Sequence, residues 1–322
     1  MELSVFNPVL ADMTLEEVLK YLAGLGVHSL ELGCGGFPGK AHADAAELNQ
    51  NEAKRDALKA LLDQYGVKIC ALSTHCNPVH PDARVAAQAQ SDFEQTCMLA
   101  QKLGVDTVIM FSGCPGDCPE SKYPNWVVCP WPDDFLAVLE YQWNEVLIPY
   151  WKKAAAFAAG CGVRKIALEM HPGFCVYNPE TLLRLRRAVG DIIGANFDPS
   201  HLIWQGIDPA EAIRYLGGAI YHFHAKDTKL DRRNTAVNGV LDTKHYSDEL
   251  NRSWIFRTVG YGSDAAVWKQ MFSMLNAIGY DGPVSIEHED SLMSVREGLE
   301  KAIAFLKYVM IHEPKLTKMS WA

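Results

Sequence analysis

Residues 161–171 have the sequence Cys-Gly-Val-Arg-Lys-Ile-Ala-Leu-Glu-Met-His, which joins a helix end to a short apolar run with a polar terminus. A glycine after a helix supplies, at little cost, the left-handed conformation that ends the helix. The run at 166–168 has no polar interruption, as in parallel strands whose two faces are both covered. The same Gly-Val junction recurs at 26–27, 66–67 and 104–105. The repetition predicts parallel strands that alternate with helices.

The whole chain can be divided in this way. Eight runs are predicted as strands, at 4–8, 28–32, 67–72, 106–111, 165–169, 193–198, 219–224 and 283–287. The predicted helices lie at 14–24, 51–65, 84–103, 134–160, 179–189, 209–216, 264–278 and 293–309. Thr14 and Glu17 form a capping-box pattern, and Pro179 and Pro209 suit the first turns of helices. Eight strand-helix pairs predict an α/β fold, a closed (β/α)₈ TIM barrel, formed by a single domain over residues 1–322.

The alternative architecture is an open, doubly wound sheet, which usually carries a glycine-rich phosphate-binding turn after an early strand. The candidate turn, Gly33-Cys34-Gly35-Gly36, lacks the G-x-G-x-x-G spacing and does not open a helix at once, so the barrel is favoured. Two connections exceed simple turns, 112–133 after strand four and 225–263 after strand seven. Long loops of this kind usually serve as lids or binding loops.

Composition and charge exclude several classes of function. The chain carries 39 acidic and 30 basic residues, a net charge of −9, and has no Lys/Arg block for a phosphodiester backbone, so no nucleic-acid partner is expected. No apolar segment reaches the ~18 residues of a membrane span, and the N-terminus does not resemble an export signal. Nine cysteines, an odd number, fit free thiols in a reducing cytoplasm better than a disulfide framework.

Polar residues stand at the carboxyl ends of the predicted strands, where the catalytic groups of a TIM barrel lie. Strands five to eight end at Glu169, Asp198, His224 and Glu287. Singly, such a residue is more often a helix cap or a solvated charge. Together, several carboxylates at one barrel mouth would repel one another unless a cation neutralised them. One divalent metal is therefore expected, with Mn²⁺ favoured for this mostly oxygen ligand set and Mg²⁺, Co²⁺ and Zn²⁺ as alternatives.

The motifs around these residues resemble those of the xylose-isomerase-like barrels, a family of sugar isomerases and epimerases with inosose dehydratase-like and endonuclease IV-like members. The similarity lies in the Glu-Asp-His-Glu series, in Asp198-Pro-Ser-His201 and in His222-Phe-His224. It implies that the four residues bind metal and that His201 touches the substrate. Of His222 and His224, only one is expected to face the lumen, and we assign His224. The nuclease members use a histidine after strand four, where this chain has none, so a trinuclear site is not expected.

The ligand set and the resemblance predict metal-assisted proton transfer next to the carbonyl of a sugar, as in an isomerase or epimerase. Two neighbouring substrate oxygens would chelate the metal, which would stabilise an enediolate. Glu169 and Glu287 are the candidate base and acid, with His171 and Lys226 as alternative proton carriers. A salt bridge to Asp227 is an equally good role for Lys226.

A sugar needs several hydrogen bonds and often an aromatic platform. The candidate substrate-binding residues are His75, Asn77, His80, Trp126, Trp131, His201 and Arg257. Packing within the loop is an alternative role for either tryptophan, and a surface charge for the arginine. No glycine-rich phosphate site follows strands seven and eight, which favours an unphosphorylated sugar, cyclitol or keto-glycoside as the small-molecule partner.

Two other functions stay open. A lyase would begin β-elimination with the same proton abstraction, either as an inosose-type dehydratase or as the metal-bearing subunit of a C-glycoside deglycosidase that acts on 3-keto-glycosides. The deglycosidase requires a small second subunit and a bulky aglycone pocket; otherwise a homo-oligomer is equally compatible with the sequence. A non-catalytic sugar- or metal-binding protein is disfavoured by the number of proton carriers. Cys114, Cys118 and Cys129 suggest a separate zinc or redox site, although unpaired thiols are favoured.

Overall fold

A closed barrel of eight parallel strands forms the centre of the molecule, in a computed structural model that describes residues 1–313. The strands are β1 (Glu2–Phe6), β2 (Ser29–Gly33), β3 (Lys68–Ser73), β4 (Thr107–Phe111), β5 (Lys165–Glu169), β6 (Ile193–Phe197), β7 (Ile220–Ala225), β8 (Asp227–Leu230), β9 (Trp254–Arg257) and β10 (Pro283–Ile286). All but β8 and β9 belong to the barrel, in which β10 pairs with both β7 and β1. The predicted α/β barrel is confirmed.

Helices surround the barrel. They are α1 (Leu15–Gly24), α2 (Ala45–Gln50), α3 (Glu52–Tyr65), α4 (Ala83–Leu103), α5 (Asp134–Glu140), α6 (Ile148–Gly160), α7 (Pro179–Val189), α8 (Pro199–Ile203), α9 (Pro209–Leu216), α10 (Arg232–Asn238), α11 (Ala265–Ala277) and α12 (Val295–Val309). The capping box of Thr14 and Glu17 is present, and Gly66 and Gly104 end α3 and α4 in the left-handed conformation. Within residues 1–313, no helix combines the length and the apolar composition needed to cross a membrane.

Several predicted boundaries are wrong. The first strand ends at Phe6, because Asn7–Leu10 form a 3-10 turn with a proline in its first positions. The segment predicted as one helix over 134–160 is divided, since a π-helical stretch at Tyr141–Leu147 separates α5 from α6. The short helices α2 and α8 were not predicted, because six or five residues carry too little hydrophobic periodicity to detect.

The long connection after β7 is not the structureless loop that the sequence predicted. It contains the antiparallel pair β8–β9 and the helix α10 between them. Trp254 and Phe256 of β9 pack with Trp204 in a separate apolar cluster, which holds the connection against the barrel. By contrast, residues 112–133 contain no helix or strand. The barrel mouth is therefore bordered by one irregular loop and one small folded insertion.

Candidate metal centre

Four residues converge at the carboxyl end of the barrel. Glu169 ends β5, Asp198 follows β6, His224 lies near the end of β7, and Glu287 follows β10. One ligand atom from each lies within 4.8 Å of the others, and three of the side chains are buried. The Glu287 side chain is 15% exposed. Parallel strands bring their carboxyl ends to one rim, so residues distant in the chain meet there.

Glu169 is held in place by three nitrogen donors. His75 Nε2 donates to its Oε2 at 3.0 Å, Asn196 Nδ2 donates to the same oxygen at 3.1 Å, and His201 Nε2 donates to Oε1 at 3.1 Å. Burial raises the pKa of this carboxyl, but the hydrogen bonds from His201, His224 and His75 outweigh burial and keep the pKa well below its ordinary value. Glu169 is therefore ionised and fixed in direction.

Asp198 has an oxygen without a hydrogen bond. Its Oδ1 accepts from the backbone N–H of Ser200 at 2.8 Å, as the N-cap of α8. Its Oδ2 is buried and makes no hydrogen bond, although His201 Nε2 and Lys226 Nζ lie 3.2 and 3.1 Å away. Burial, opposed by Lys226, raises the pKa of Asp198 to about 7. A buried carboxylate that is this poorly compensated, beside two further carboxylates and an imidazole, fits a divalent cation.

His222 and His224 both face the lumen, so the prediction that only one of them does is wrong. Residues two apart in a strand share a face, and the intervening Phe223 packs outward on Trp268. Both imidazoles contact the carboxylate of Glu31 on β2, at 2.9 Å from His222 Nε2 and 2.8 Å from His224 Nε2. The sequence argument missed Glu31, whose signal was an acidic residue within an otherwise apolar strand.

Lys226 does not pair with Asp227. Lys226 lies between β7 and β8, and its Nζ lies 2.9 Å from Glu287 Oε2 and 3.1 Å from Glu289 Oε2, in addition to its contact with Asp198. Asp227 Oδ2 instead accepts backbone N–H groups, among them that of Gly260 at 3.0 Å. Burial alone would lower the pKa of this ammonium, but the carboxylates of Asp198, Glu287 and Glu289 hold it well above its ordinary value. Lys226 is thus a charged member of the site.

Three further predicted residues lie at the centre. His75 and His201 contact Glu169 as described above, and the His171 ring lies 4.0 Å from that of His201 between centroids. His171 Nδ1 pairs with the carbonyl of Pro172 at 2.5 Å, and burial lowers the pKa of this imidazole. A neutral histidine therefore stands beside the cluster.

The remaining candidate substrate-binding residues lie elsewhere. The Asn77 side-chain amide donates to the Cys114 carbonyl at 2.9 Å and accepts from the Cys114 backbone N–H at 3.0 Å. His80 Nδ1 accepts from the backbone N–H of Asp82 at 2.9 Å. Arg257 Nε donates to both oxygens of Asp290, at 3.1 and 3.0 Å. The structure does not bring these three side chains to the four candidate ligands.

The two tryptophans are also separate from the centre. Trp126 lines a different cavity of about 250 Å³, where its ring meets Tyr177 edge-on at 5.5 Å. Trp131 is 75% exposed. Loop packing therefore describes Trp126 better than a substrate platform does.

The three loop cysteines do not form a cluster. Cys114 is buried, whereas Cys118 and Cys129 are exposed, and all are free thiols. Within residues 1–313, two groups of acidic, histidine or cysteine side chains are close enough to share a metal ion, and neither group contains a cysteine. The separate zinc site that the loop suggested thus has no support in the structure.

A cleft of about 410 Å³ opens onto the candidate ligands. It is lined by Phe6, Pro8, Val9, Phe37, Pro38, His75, Phe111, Glu169, Glu287, His288 and Glu289. A second cavity of about 430 Å³ is lined by His171, Tyr246, Ile255, Phe256, Glu289 and Ser291. Glu289 lines both, so the two spaces adjoin at that residue. Each combines apolar walls with a few polar groups, as small-molecule sites do.

Comparison with known proteins identifies the family. The xylose isomerase-like TIM barrel family matches residues 19–309, and the chain belongs to this family. Its sequence is 43% identical over 309 residues to the uncharacterised protein YfiH of Bacillus subtilis (strain 168), covering 95% of this chain and 98% of that protein.

Two more distant similarities extend this comparison. An inosose dehydratase of Clostridium botulinum is 29% identical over 171 residues, covering 53% of this chain and 54% of that protein. The crystal structure of the IolI protein with a zinc atom superposes with a TM-score of 0.66 at 18% identity, covering 96% of this chain and 98% of that one. At that identity the structural similarity shows a shared fold.

Proposed function

We propose that this protein is a divalent-metal-dependent enzyme that transfers a proton next to the carbonyl group of a sugar, as an isomerase or epimerase. The observation that carries the proposal is the buried Asp198 oxygen without a hydrogen bond, within a set of four convergent ligands. Glu169, Asp198, His224 and Glu287 would hold the cation. Bound there, a cation polarises a substrate carbonyl and acidifies the C–H bond beside it. The ligand set favours Mn²⁺ and admits Mg²⁺, Co²⁺ and Zn²⁺.

Glu169 and Glu287 are the groups proposed to remove and return the proton. Glu169 is ionised and cannot turn, because three donors hold it, so it suits the role of a positioned base. Glu287 lines the open cleft, and Lys226 Nζ lies 2.9 Å from its Oε2. The Lys226 ammonium therefore keeps Glu287 ionised and fixes its direction. The carboxylate that takes the proton becomes a carboxylic acid and can return the proton to the same face; for return to the opposite face, the other carboxylate must first take up a proton from solvent in the cleft.

The walls of the cleft would orient the substrate. Phe6 and Phe111 offer apolar surface to the carbon face of a sugar, whereas Glu289 offers a hydrogen-bond acceptor to its hydroxyls. His75 lines the same cleft and donates to Glu169, so it couples the position of the substrate to the direction of the base. The apolar walls also limit water around the reacting carbon.

A lyase is the second candidate, favoured by the adjoining second cavity. A free monosaccharide needs only one of the two cavities. A keto-glycoside consists of a sugar and an aglycone, which together fit both cavities, with the aglycone lying against Tyr246 and Phe256. In elimination the base takes the proton beside the carbonyl, the bond to the leaving group breaks, and the leaving group takes a proton. Lys226, whose Nζ lies 4.6 Å from the centroid of the Phe256 ring, is placed to deliver that proton, whereas neutral His171, which lines the second cavity, is placed to accept one. The similarity to an inosose dehydratase is consistent with elimination.

Deuterium exchange separates these reactions. The full-length protein with Mn²⁺ is incubated in D₂O with ketoses, inososes and 3-keto-glycosides, and products are followed by NMR and mass spectrometry. An epimerase or isomerase incorporates deuterium beside the carbonyl and yields a stereoisomer or isomer. A lyase releases water or the aglycone. A binding protein gives ligand-induced stabilisation without exchange.

Variants of the two glutamates test the assignment of roles. Glu169→Gln and Glu287→Gln are expected to abolish exchange while the fold is retained, because each weakens coordination and removes a proton carrier. Glu52→Gln, on the exposed first turn of α3, is the matched control and should keep full activity. Full activity in protein shown by elemental analysis to be free of metal would refute the proposed function.

A further inference from the structure

The carboxylate of Glu31 lies in the lumen beside His224, fully buried on β2. Three donors surround it: the Ser73 hydroxyl, His222 Nε2 at 2.9 Å and His224 Nε2 at 2.8 Å. An ionised carboxylate only accepts hydrogen bonds, so the ring nitrogens that face it carry protons. Glu31 thus holds a proton on His224 Nε2.

The other nitrogen of His224 faces the candidate ligands. Its Nδ1 lies 3.0 Å from Glu287 Oε2 and 3.2 Å from Glu169 Oε2. Without a metal, Nδ1 therefore also donates to a carboxylate; a cation at this place would replace the Nδ1 proton and bind the lone pair, while the Nε2 proton stays on Glu31. We propose that Glu31 is a positioning residue that holds His224 in this orientation and tautomer. This inference rests on the proposed function, because it assumes a cation at the four ligands.

His222 has a different role in the same arrangement. Its Nε2 also donates to Glu31, but its Nδ1 is buried and has no hydrogen-bond partner. It therefore helps to hold the carboxylate of Glu31 in place. Glu31, His222 and His224 are close enough to hold a second cation themselves. That alternative would need both Nε2 atoms deprotonated and would compete with the Ser73 hydroxyl for Glu31 Oε1, so a hydrogen-bonded support is favoured.

Metal affinity tests the proposal without reference to turnover. Mn²⁺ is titrated into the full chain by calorimetry, for the wild type, Glu31→Gln and Ser73→Ala. Loss of a carboxylate that orients a histidine ligand typically weakens metal binding by about 10–100-fold, and Glu31→Gln is expected to fall in that range. Ser73→Ala removes a donor to the same carboxylate but leaves its charge and its contact with His224, so it should keep wild-type affinity. Each protein is expected to bind one equivalent.

A spectroscopic measurement on the wild type covers the case in which Glu31→Gln does not fold. In Zn²⁺-loaded protein, ¹⁵N chemical shifts should place the proton of His224 on Nε2 and the metal on Nδ1. The reverse assignment overturns the proposal, as does unchanged Mn²⁺ affinity in Glu31→Gln. Two equivalents in the wild type and one in Glu31→Gln would assign a second cation site instead. Absence of stoichiometric Mn²⁺ in the wild type refutes the proposed function, and this inference with it.

Discussion

Replacement of Lys226 by methionine removes a buried ammonium from the centre and leaves a side chain of similar length. Lys226 Nζ contacts Asp198, Glu287 and Glu289 at 2.9–3.1 Å, and its side chain is 2% exposed. Glu289 is 48% exposed and well solvated, so the loss concerns mainly the two other carboxylates. Without metal, Glu287 would keep its charge while losing its closest compensation, and the pKa of Asp198, already about 7, would rise further.

Removal of one partner from a buried ion pair costs about 3–5 kcal/mol in the free energy of unfolding. A domain of this size loses about 2 °C in Tm per kcal/mol, so metal-free Lys226→Met should melt roughly 6–10 °C below the wild type. A cation bound to Asp198 and Glu287 restores positive charge at the same place. Saturating Mn²⁺ should therefore raise the Tm of the variant more than that of the wild type.

The effect has a defined pH dependence. Burial raises the pKa of Glu287, but Lys226 and His224 outweigh burial and lower it to about 2. A carboxyl whose folded pKa is lowered stabilises the protein above its unfolded pKa of about 4.3 and loses that contribution as pH falls. Because Lys226→Met removes the main cause of the lowering, the difference in stability should be largest above about pH 5 and should narrow below it.

Thermal melts after dialysis against a chelator measure this prediction, from pH 3 to pH 8, with and without Mn²⁺. Lys229→Met is the matched control, because Lys229 is exposed and its Nζ contacts only the carbonyl of Gly262, at 3.3 Å. The control should melt with the wild type. Equal Tm values for metal-free Lys226→Met and the wild type, or an equal gain from Mn²⁺, would refute the reasoning.

Three further predictions concern the metal and the rim. Since the pKa of Asp198 is raised to about 7, Mn²⁺ must displace a proton from this carboxyl at lower pH. The apparent Kd for Mn²⁺ should therefore rise about tenfold per pH unit below pH 7. Calorimetry that finds no pH dependence of the Kd would count against this prediction. His201→Ala should keep one equivalent of metal by elemental analysis but lose about 10²-fold in kcat/KM, because Glu169 loses one of its hydrogen-bond donors. Loss of the metal from this variant would place His201 among the ligands. Asp227→Asn should lower the free energy of unfolding by about 1–3 kcal/mol in urea titrations, since Asp227 Oδ2 accepts the N–H groups of Gly260, Gly262 and Ser263. An unchanged urea midpoint would contradict this prediction.

The sequence alone was sufficient for the barrel and for the set of four candidate ligands, because both depend on local patterns. Each strand is a short apolar run after a Gly-Val junction, and each candidate ligand stands at or near the polar end of such a run. Once the strands are known to be parallel and to close, their carboxyl ends must meet at one rim. The proximity of Glu169 and Asp198 could thus be predicted from the sequence alone.

Contacts inside the barrel required the tertiary structure. Glu31 and His224 are 193 residues apart, and they meet because β2 and β7 both direct side chains into the closed lumen, with β1 and β10 between them, which no local pattern encodes. Lys226 pairs with Asp198 rather than with its neighbour Asp227, whose Oδ2 accepts the backbone N–H groups of a distant loop at 260–263. Asn77 and Trp126 follow strands at the correct rim, but their side chains contact loop residues instead of the candidate ligands. The path of a long connection depends on packing that arises only when the chain is folded.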